Sequence, residues 1–240
     1  MIFGIRSLIE AIHEGKEIDK VFIQKGLKGD LYNELYQLVK KRGVPFSLVP
    51  IEKINRLTRK NHQGVVAFIS SIQYQDIEQL IPMLYEQGKT PFILVLDRIT
   101  DVRNFGALAR TAECAGVDAI LIPARGAAAI NADAIKTSAG ALHKIPVCRA
   151  RFLQDDLKFL KESGLKIVGV SEKAKKAYYE ETYNEPLALM LGSEEDGISD
   201  VYLPLLDEFV RIPMTGSIAS LNVSVAGGIL MFEASKHRHN

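Results

Sequence analysis

A chain of 240 residues, 47% hydrophobic and 25% charged, is long enough to bury a sizeable core in one domain or two. Its longest apolar runs, such as Phe92 to Leu96 and Leu187 to Leu191, fall far short of the roughly 18 to 20 residues that span a bilayer, and no basic leader follows Met1. The net charge of +1 excludes neither an acidic nor a basic partner.

The first seventy residues read as a small α/β unit. From Gly4 to Ile12 the spacing of Ile5, Leu8, Ile9 and Ile12 is helical. Val21 to Ile23 reads as a short strand, and Leu31 to Val39 as a helix whose face carries Leu31, Leu35, Leu38 and Val39. Gly43 is suited to stop that helix. Phe46 to Val49 follows as a strand, Ile51 to Leu57 as a short helix and Val65 to Ile69 as a closing strand. Residues 1–70 carry 12 Lys and Arg against 7 Asp and Glu, whereas residues 71–240 carry 18 against 22. That asymmetry suits a first unit that meets something anionic, although a solvated basic face would look the same. Residues 71–89 read as a linker with one weak helical turn around Ile77 to Tyr85.

From residue 90 to 240 strand and helix alternate. PFILVLD leads to a helix through Ala107 to Ala115, DAILIP to a helix near Ala132 to Ala139, and IPVCR to a helix through Leu153 to Leu160. KIVGV and PLALMLG are strands, a helix is expected near Val201 to Leu205, FVRIP is a strand, and a last helix runs from about Val223 to Ser235. Short apolar strands separated by helices predict a mostly parallel sheet covered on both faces. Ligands of such sheets bind beyond the carboxyl ends of the strands, so the loops there deserve the closest reading.

Three of those loops carry polar residues. In the first, Asp97 to Gly106, Asn104 is suited to cap the next helix, and Arg110 lies two turns into that helix among the small residues Ala107, Ala109 and Ala112. A lone Arg there is otherwise an ordinary exposed residue. The second, Leu191 to Ser199, sets Glu194, Glu195 and Asp196 between Gly192 and Gly197, glycines that would let a ligand approach the backbone. A turn leading into a helix that welcomes acidic residues has the same look. The third, Ile212 to Ile229, is a loop of mostly small or polar residues that runs into a helix near Asn222. Gly227 and Gly228 inside that helix would each cost about 1 kcal/mol relative to Ala, which predicts a closely packed neighbour.

Cys114 and Cys148 lack CxxC spacing and read as small core residues, while His13, His143, His237 and His239 lack ligand spacing, so no metal site is expected. No G-x-G-x-x-G follows the first strand of the second segment and no G-x-x-x-x-G-K-S/T occurs, which argues against a nucleotide- or NAD-binding enzyme.

The strings NFGALARTA, GSEEDG and IPMTGSIASLNVSVA, in this order over about 150 residues, resemble the three motifs of the SpoU/TrmH branch of the SPOUT RNA methyltransferases. Gly4 with Glu10-Ala11, and Asn61 to Val65, are similar to the substrate-binding domain that precedes the catalytic domain in bacterial 23S rRNA guanosine 2′-O-methyltransferases. The chain departs from the pattern at Val102-Arg103, where a Pro-containing pair is common, and at Phe105 in place of Leu. The resemblance implies an α/β fold: a small N-terminal domain of the L30e-like kind, then a SPOUT domain whose end is threaded as a deep trefoil knot. It implies S-adenosyl-L-methionine as cofactor, RNA as substrate, a guanosine of 23S rRNA first and tRNA or another rRNA nucleotide as the alternative, and a homodimer completing the site; the short apolar runs leave no membrane partner.

Residue by residue, the resemblance gives catalytic roles to Asn104, Arg110, Glu194, Ser220 and Asn222. Cofactor contacts fall to Leu191, Gly192, Ile212, Met214, Ser220, Leu221 and Asn222. Methyl transfer from a sulfonium to a hydroxyl is an in-line displacement, so alignment and loss of the hydroxyl proton are the two demands. Arg110 would stabilise the developing alkoxide with help from Ser220, or relay its proton, whereas an unassisted guanidine base is disfavoured by a pKa above about 12. In the first unit Lys53, Arg56, Arg59, Lys60, Asn61 and His62 are candidates for contact with RNA. A non-catalytic RNA-binding protein would not need the five catalytic candidates together. A cytoplasmic location is expected.

Overall fold

The computed structural model describes residues 1–218 and 220–238, so Ala219 of the third motif and His239 lie outside the described residues. Its contacts separate two compact units, residues 1–73 with 129–131, and residues 74–128 with 132–240.

The first unit is built on β2 (Ile18–Gln24), whose alternation sends Val21 and Ile23 to one face and Phe22 to the other. It pairs in parallel with β3 (Phe46–Val49) and antiparallel with β4 (Val65–Ile69), and β4 pairs with a two-residue β1 (Ile2–Phe3). On one face α1 (Ile5–His13) and α2 (Asp30–Lys41) bury Leu8, Leu35 and Val39 against Val21 and Ile23. Leu31, expected on the buried face of α2, is exposed in its first turn. On the other face α3 (Ile51–Leu57) buries Ile54 against Phe22 and Val66.

The second unit holds a seven-stranded sheet. Its strands are β5 (Phe92–Leu96), β6 (Ala119–Pro123), β7 (Val147–Ala150), β8 (Lys166–Val170), β9 (Lys176–Ala177), β10 (Leu187–Leu191) and β11 (Glu208–Arg211). In space the order is β7-β6-β5-β10-β8-β11-β9, and every pairing is parallel. All five residues of β5 and of β10 are buried, as expected for central strands covered on both sides. On one face pack α4 (Ile77–Glu86) and α7 (Leu153–Glu162), through Leu80, Ile81, Leu157 and Leu160 onto Ala188 and Met190. The stretch read as a linker therefore contributes a full helix of the core, with Asp76 accepting the Glu78 N–H as its cap.

The remaining helices are α5 (Val102–Cys114), α6 (Ala132–Thr137) and α8 (Val223–Lys236). A Cβ at Gly227 would lie 2.5 Å from Leu108 Cδ2 and 2.8 Å from Leu191 Cδ1, so the close neighbours of α8 are α5 and β10 of the same chain. Gly228 meets only Thr111 at an ordinary 3.6 Å, so the second glycine is not demanded by space within the chain. The helix expected near Val201 to Leu205 is a single 3₁₀ turn, Leu203–Leu205, held open by Pro204. Among the described residues no helix is long and apolar enough to cross a membrane, and no group of His, Cys, Asp and Glu is arranged to hold a metal ion.

Candidate active site

Beyond the carboxyl ends of β8, β10 and β11 lies a cavity of about 550 Å³. Leu191, Ile212, Met214 and Leu221 supply apolar wall, and Gly192, Glu194 and Ser220 complete the set of predicted residues that line it. Gly192 is required for a reason different from the one expected. A Cβ there would fall 2.0 Å from the carbonyl carbon of Gly197, because Ser193 and Gly197 exchange backbone hydrogen bonds of 3.0 and 2.9 Å and fold the acidic loop back on itself. Gly197 accordingly sits in the left-handed region, at φ 70°.

Three candidates from the three motifs meet beside this cavity. Asn222 donates its amide to Asn104 Oδ1 at 3.1 Å, and Asn104 in turn donates its amide to Glu194 Oε1. Asn222 also caps α8, its Oδ1 accepting from Ser224 N at 2.9 Å and Ser224 Oγ at 2.6 Å. Asn104 is not the cap of α5. That helix begins two residues earlier than Asn104, and Asp101 caps it, accepting from the N–H groups of Arg103 and Asn104 at 2.8 Å each. The Asn104 side chain is thereby freed from the backbone and turned toward Glu194 and Asn222.

Two neighbours that sequence reasoning left without a role hold the acidic loop in place. Asp97, 1% exposed, accepts the Ser199 N–H at 2.8 Å. Arg98 has a left-handed backbone, φ 59°, and its guanidinium reaches Asp196 Oδ2 and the Gly197 carbonyl, each at 3.0 Å. The loop after β8 was also missed: Ser171, Glu172 and Lys173 line the cavity. It follows a strand just as the other three loops do, and that position was the available signal.

Arg110 is exposed on α5 and is not part of the cavity wall. Nearby on α8, Val225 and Phe232 are 50% and 53% exposed, an apolar stripe at a spacing of seven residues beside Gly228. In the first unit Lys53 and Lys60 are exposed with their ammonium groups 5.1 Å from the ring centroids of Phe22 and Phe3, and Arg56, Arg59 and Asn61 are exposed. His62 is tied inward: Nδ1 accepts from Gly64 N at 3.0 Å, leaving Nε2 to donate to Asn55 Oδ1 at 2.8 Å.

Residues 91–232 match the model of the SpoU rRNA methylase family. The chain belongs to that family. Residues 1–75 match a second SpoU-type model, described as RNA 2′-O ribose methyltransferase substrate binding. Among curated SpoU/TrmH relatives, a putative TrmH family tRNA/rRNA methyltransferase of Staphylococcus saprophyticus is 35% identical, covering 100% of this chain and 96% of that protein. The Bacillus subtilis protein YacO, described in the same words, is 32% identical over 99% of this chain and 96% of its own length. Among solved structures, the AdoMet-bound rRNA methyltransferase of Sinorhizobium meliloti shares the fold, with a TM-score of 0.63 and 24% identity over 98% of this chain and 86% of that one. The segment matched to the SpoU model contains Asn104, Glu194 and Asn222, the three residues that meet at one edge of the cavity.

Proposed function

We propose that this chain, as a homodimer, binds S-adenosyl-L-methionine in the cavity beyond β8, β10 and β11 and methylates a ribose 2′-hydroxyl of RNA, a guanosine of 23S rRNA. The observation that carries the reading is the Asn222–Asn104–Glu194 chain of hydrogen bonds at the edge of that cavity. The cavity itself fits the cofactor: apolar walls at Leu191, Ile212 and Leu221 suit an adenine, and the acidic loop suits a sulfonium and an ammonium. The crystallised Sinorhizobium meliloti relative, with AdoMet bound, supports the same cofactor here.

When bound, the cofactor supplies a methyl group on a positively charged sulfur. The protein's work is then to align the ribose oxygen and manage its proton. Arg110 stabilises the negative charge that grows on that oxygen as its proton passes to solvent, and the hydroxyl of Ser220, a residue of the cavity wall, hydrogen-bonds the same atom. Asn104, Glu194 and Asn222 fix the three loops relative to one another. Since Arg110 is exposed and absent from the cavity wall, it serves the site of a second copy docked over the Val225 and Phe232 stripe. In this reading the closing segment of the second unit is threaded as a trefoil knot. Residues 1–70 gather RNA through Lys53, Arg56, Arg59, Lys60 and Asn61, and His62 holds the turn from which they project.

Calorimetry with S-adenosyl-L-methionine tests the cofactor, and mapping of 2′-O-methyl groups in the RNA of cells lacking the protein tests the substrate. One missing methyl group on a 23S rRNA guanosine is the expected result. A missing methyl group on tRNA would move the substrate, and an unchanged map would refute the RNA reading.

A further inference from the structure

The cavity wall carries four carboxylates, Glu172, Glu194, Glu195 and Asp196, and a single cation, Lys173. Glu194 is engaged by Asn104 and Asp196 by Arg98. Lys173 differs from Lys166 and Lys176 in its partners, and from Lys175, equally unpaired among the described residues, in lining the cavity. Lys166 and Lys176 are each 2.7 Å from Glu181, whereas among the described residues no carboxylate pairs with Lys173. Its backbone is nonetheless fixed. Ser171 N donates to the Val210 carbonyl at 3.0 Å, Lys173 N to Ser171 Oγ at 3.3 Å, and Ala174 N to the Ser171 carbonyl at 3.1 Å, so the turn that follows β8 is fastened to the neighbouring strand β11. An exposed lysine on a fixed turn, with no carboxylate partner among the described residues and the single cation on the wall of this cavity, has an anionic ligand group as its natural complement.

We propose that Lys173 is a specificity-determining residue that binds the α-carboxylate of the cofactor's methionine portion, leaving the cofactor's ammonium to the acidic side of the cavity. The inference rests on the cofactor reading above and adds a residue outside the family motifs. It makes the cavity selective for an intact amino-acid end rather than for adenosine and sulfonium alone.

The test is calorimetry on the full chain with two ligands that differ only at that end, S-adenosyl-L-methionine and its decarboxylated analogue. The wild-type chain is expected to favour the intact compound by roughly tenfold, the size of one charge-assisted hydrogen bond. Lys173→Met is expected to remove that preference by weakening the intact compound alone, and Lys173→Arg to keep most of it. An unchanged preference in Lys173→Met, or equal weakening of both ligands, would overturn the proposal, and so would a loss confined to RNA affinity. A wild-type chain that binds neither compound would instead bring down the cofactor reading, and this inference with it.

Discussion

Asn222 reaches Asn104 across 118 residues of sequence, amide to side-chain oxygen at 3.1 Å, while its own oxygen caps α8. One side chain thus sets both where the last helix starts and how the first and third motifs are joined. The two tasks use different atoms, so they can be separated. Asn222→Asp keeps the acceptor that caps α8 and loses the donor to Asn104. It should melt within a few degrees of the wild type yet lose most of its methyl transfer. Asn222→Ala should lose both, with a helix-cap cost of about 1 kcal/mol in denaturant titration. Equal activity in Asn222→Asp and the wild type would deny the link a role.

Asp97 and Arg98 brace the acidic loop in different ways. Removing the buried Asp97 carboxylate leaves the Ser199 N–H without its acceptor, which costs about 1–3 kcal/mol. For a chain of this size that is a fall of several degrees in melting temperature. Arg98→Ala cuts the contacts to Asp196 and Gly197 at a partly exposed position. Its melting point should change little, and its affinity for S-adenosyl-L-methionine by calorimetry should drop, because the loop that lines the cavity is no longer tethered.

Arg110 is not among the residues that line the cavity of its own chain, so the proposed homodimer, in which it serves the partner's site, predicts complementation between subunits. Arg110→Ala and Ser220→Ala chains are each inactive in this account. Mixed after unfolding and refolding together, half of the dimers pair one of each, and each such dimer has one intact site. Activity should return to roughly a quarter of the wild-type value. No recovery in a mixture shown to contain mixed dimers would mean that Arg110 acts within its own chain.

Two carboxylates give stability opposite dependences on pH. Burial works to raise Glu181, but its hydrogen bonds to Lys166 and Lys176 prevail and carry it down to about 2. A lowered folded pKa contributes stability above the unfolded value near 4.5 that is lost as pH falls toward 2. Asp156 is pushed up to about 6 by burial and by the charges of Glu78, Asp76 and Asp155, so its contribution is full below the unfolded value of 3.8 and lost as pH rises through 6. Thermal melts should therefore show Glu181→Gln less stable than the wild type at pH 7, with the gap closing on acidification. Asp156→Asn should be more stable at pH 7, with its advantage gone below pH 4. A Glu181→Gln gap that persists unchanged at pH 2, or an Asp156→Asn variant no more stable at neutral pH, would contradict these assignments.

The strands legible in the sequence are those that bury side chains on both faces, such as β5 and β10, because unbroken apolar runs leave few other structures. β1 and β9 have two residues each and exist through backbone pairing that side-chain pattern does not record. Where a helix is expected near Val201 to Leu205, Pro204 and the exposure of Val201 go with a single 3₁₀ turn instead. At the site, motif order brought Asn104, Glu194 and Asn222 to attention, but the start of α5 depended on whether Asp101 or Asn104 serves as cap, and both residue types suit that position. Lys173 was overlooked since a lone lysine after a strand carries no signal until the turn of β8 is seen to open onto the same cavity as Gly192.

The chemical claim is transfer of a methyl group to a ribose 2′-hydroxyl, and it can be read from one product. Purified chain is incubated with methyl-labelled S-adenosyl-L-methionine and unmodified 23S rRNA, and the RNA is hydrolysed in alkali, which cannot cleave beside a methylated 2′-oxygen. The account requires the label in a single alkali-resistant dinucleotide beginning with guanosine, and its absence when Arg110 is replaced by Ala. Label recovered in mononucleotides would mean that a base is methylated, and would contradict the account outright.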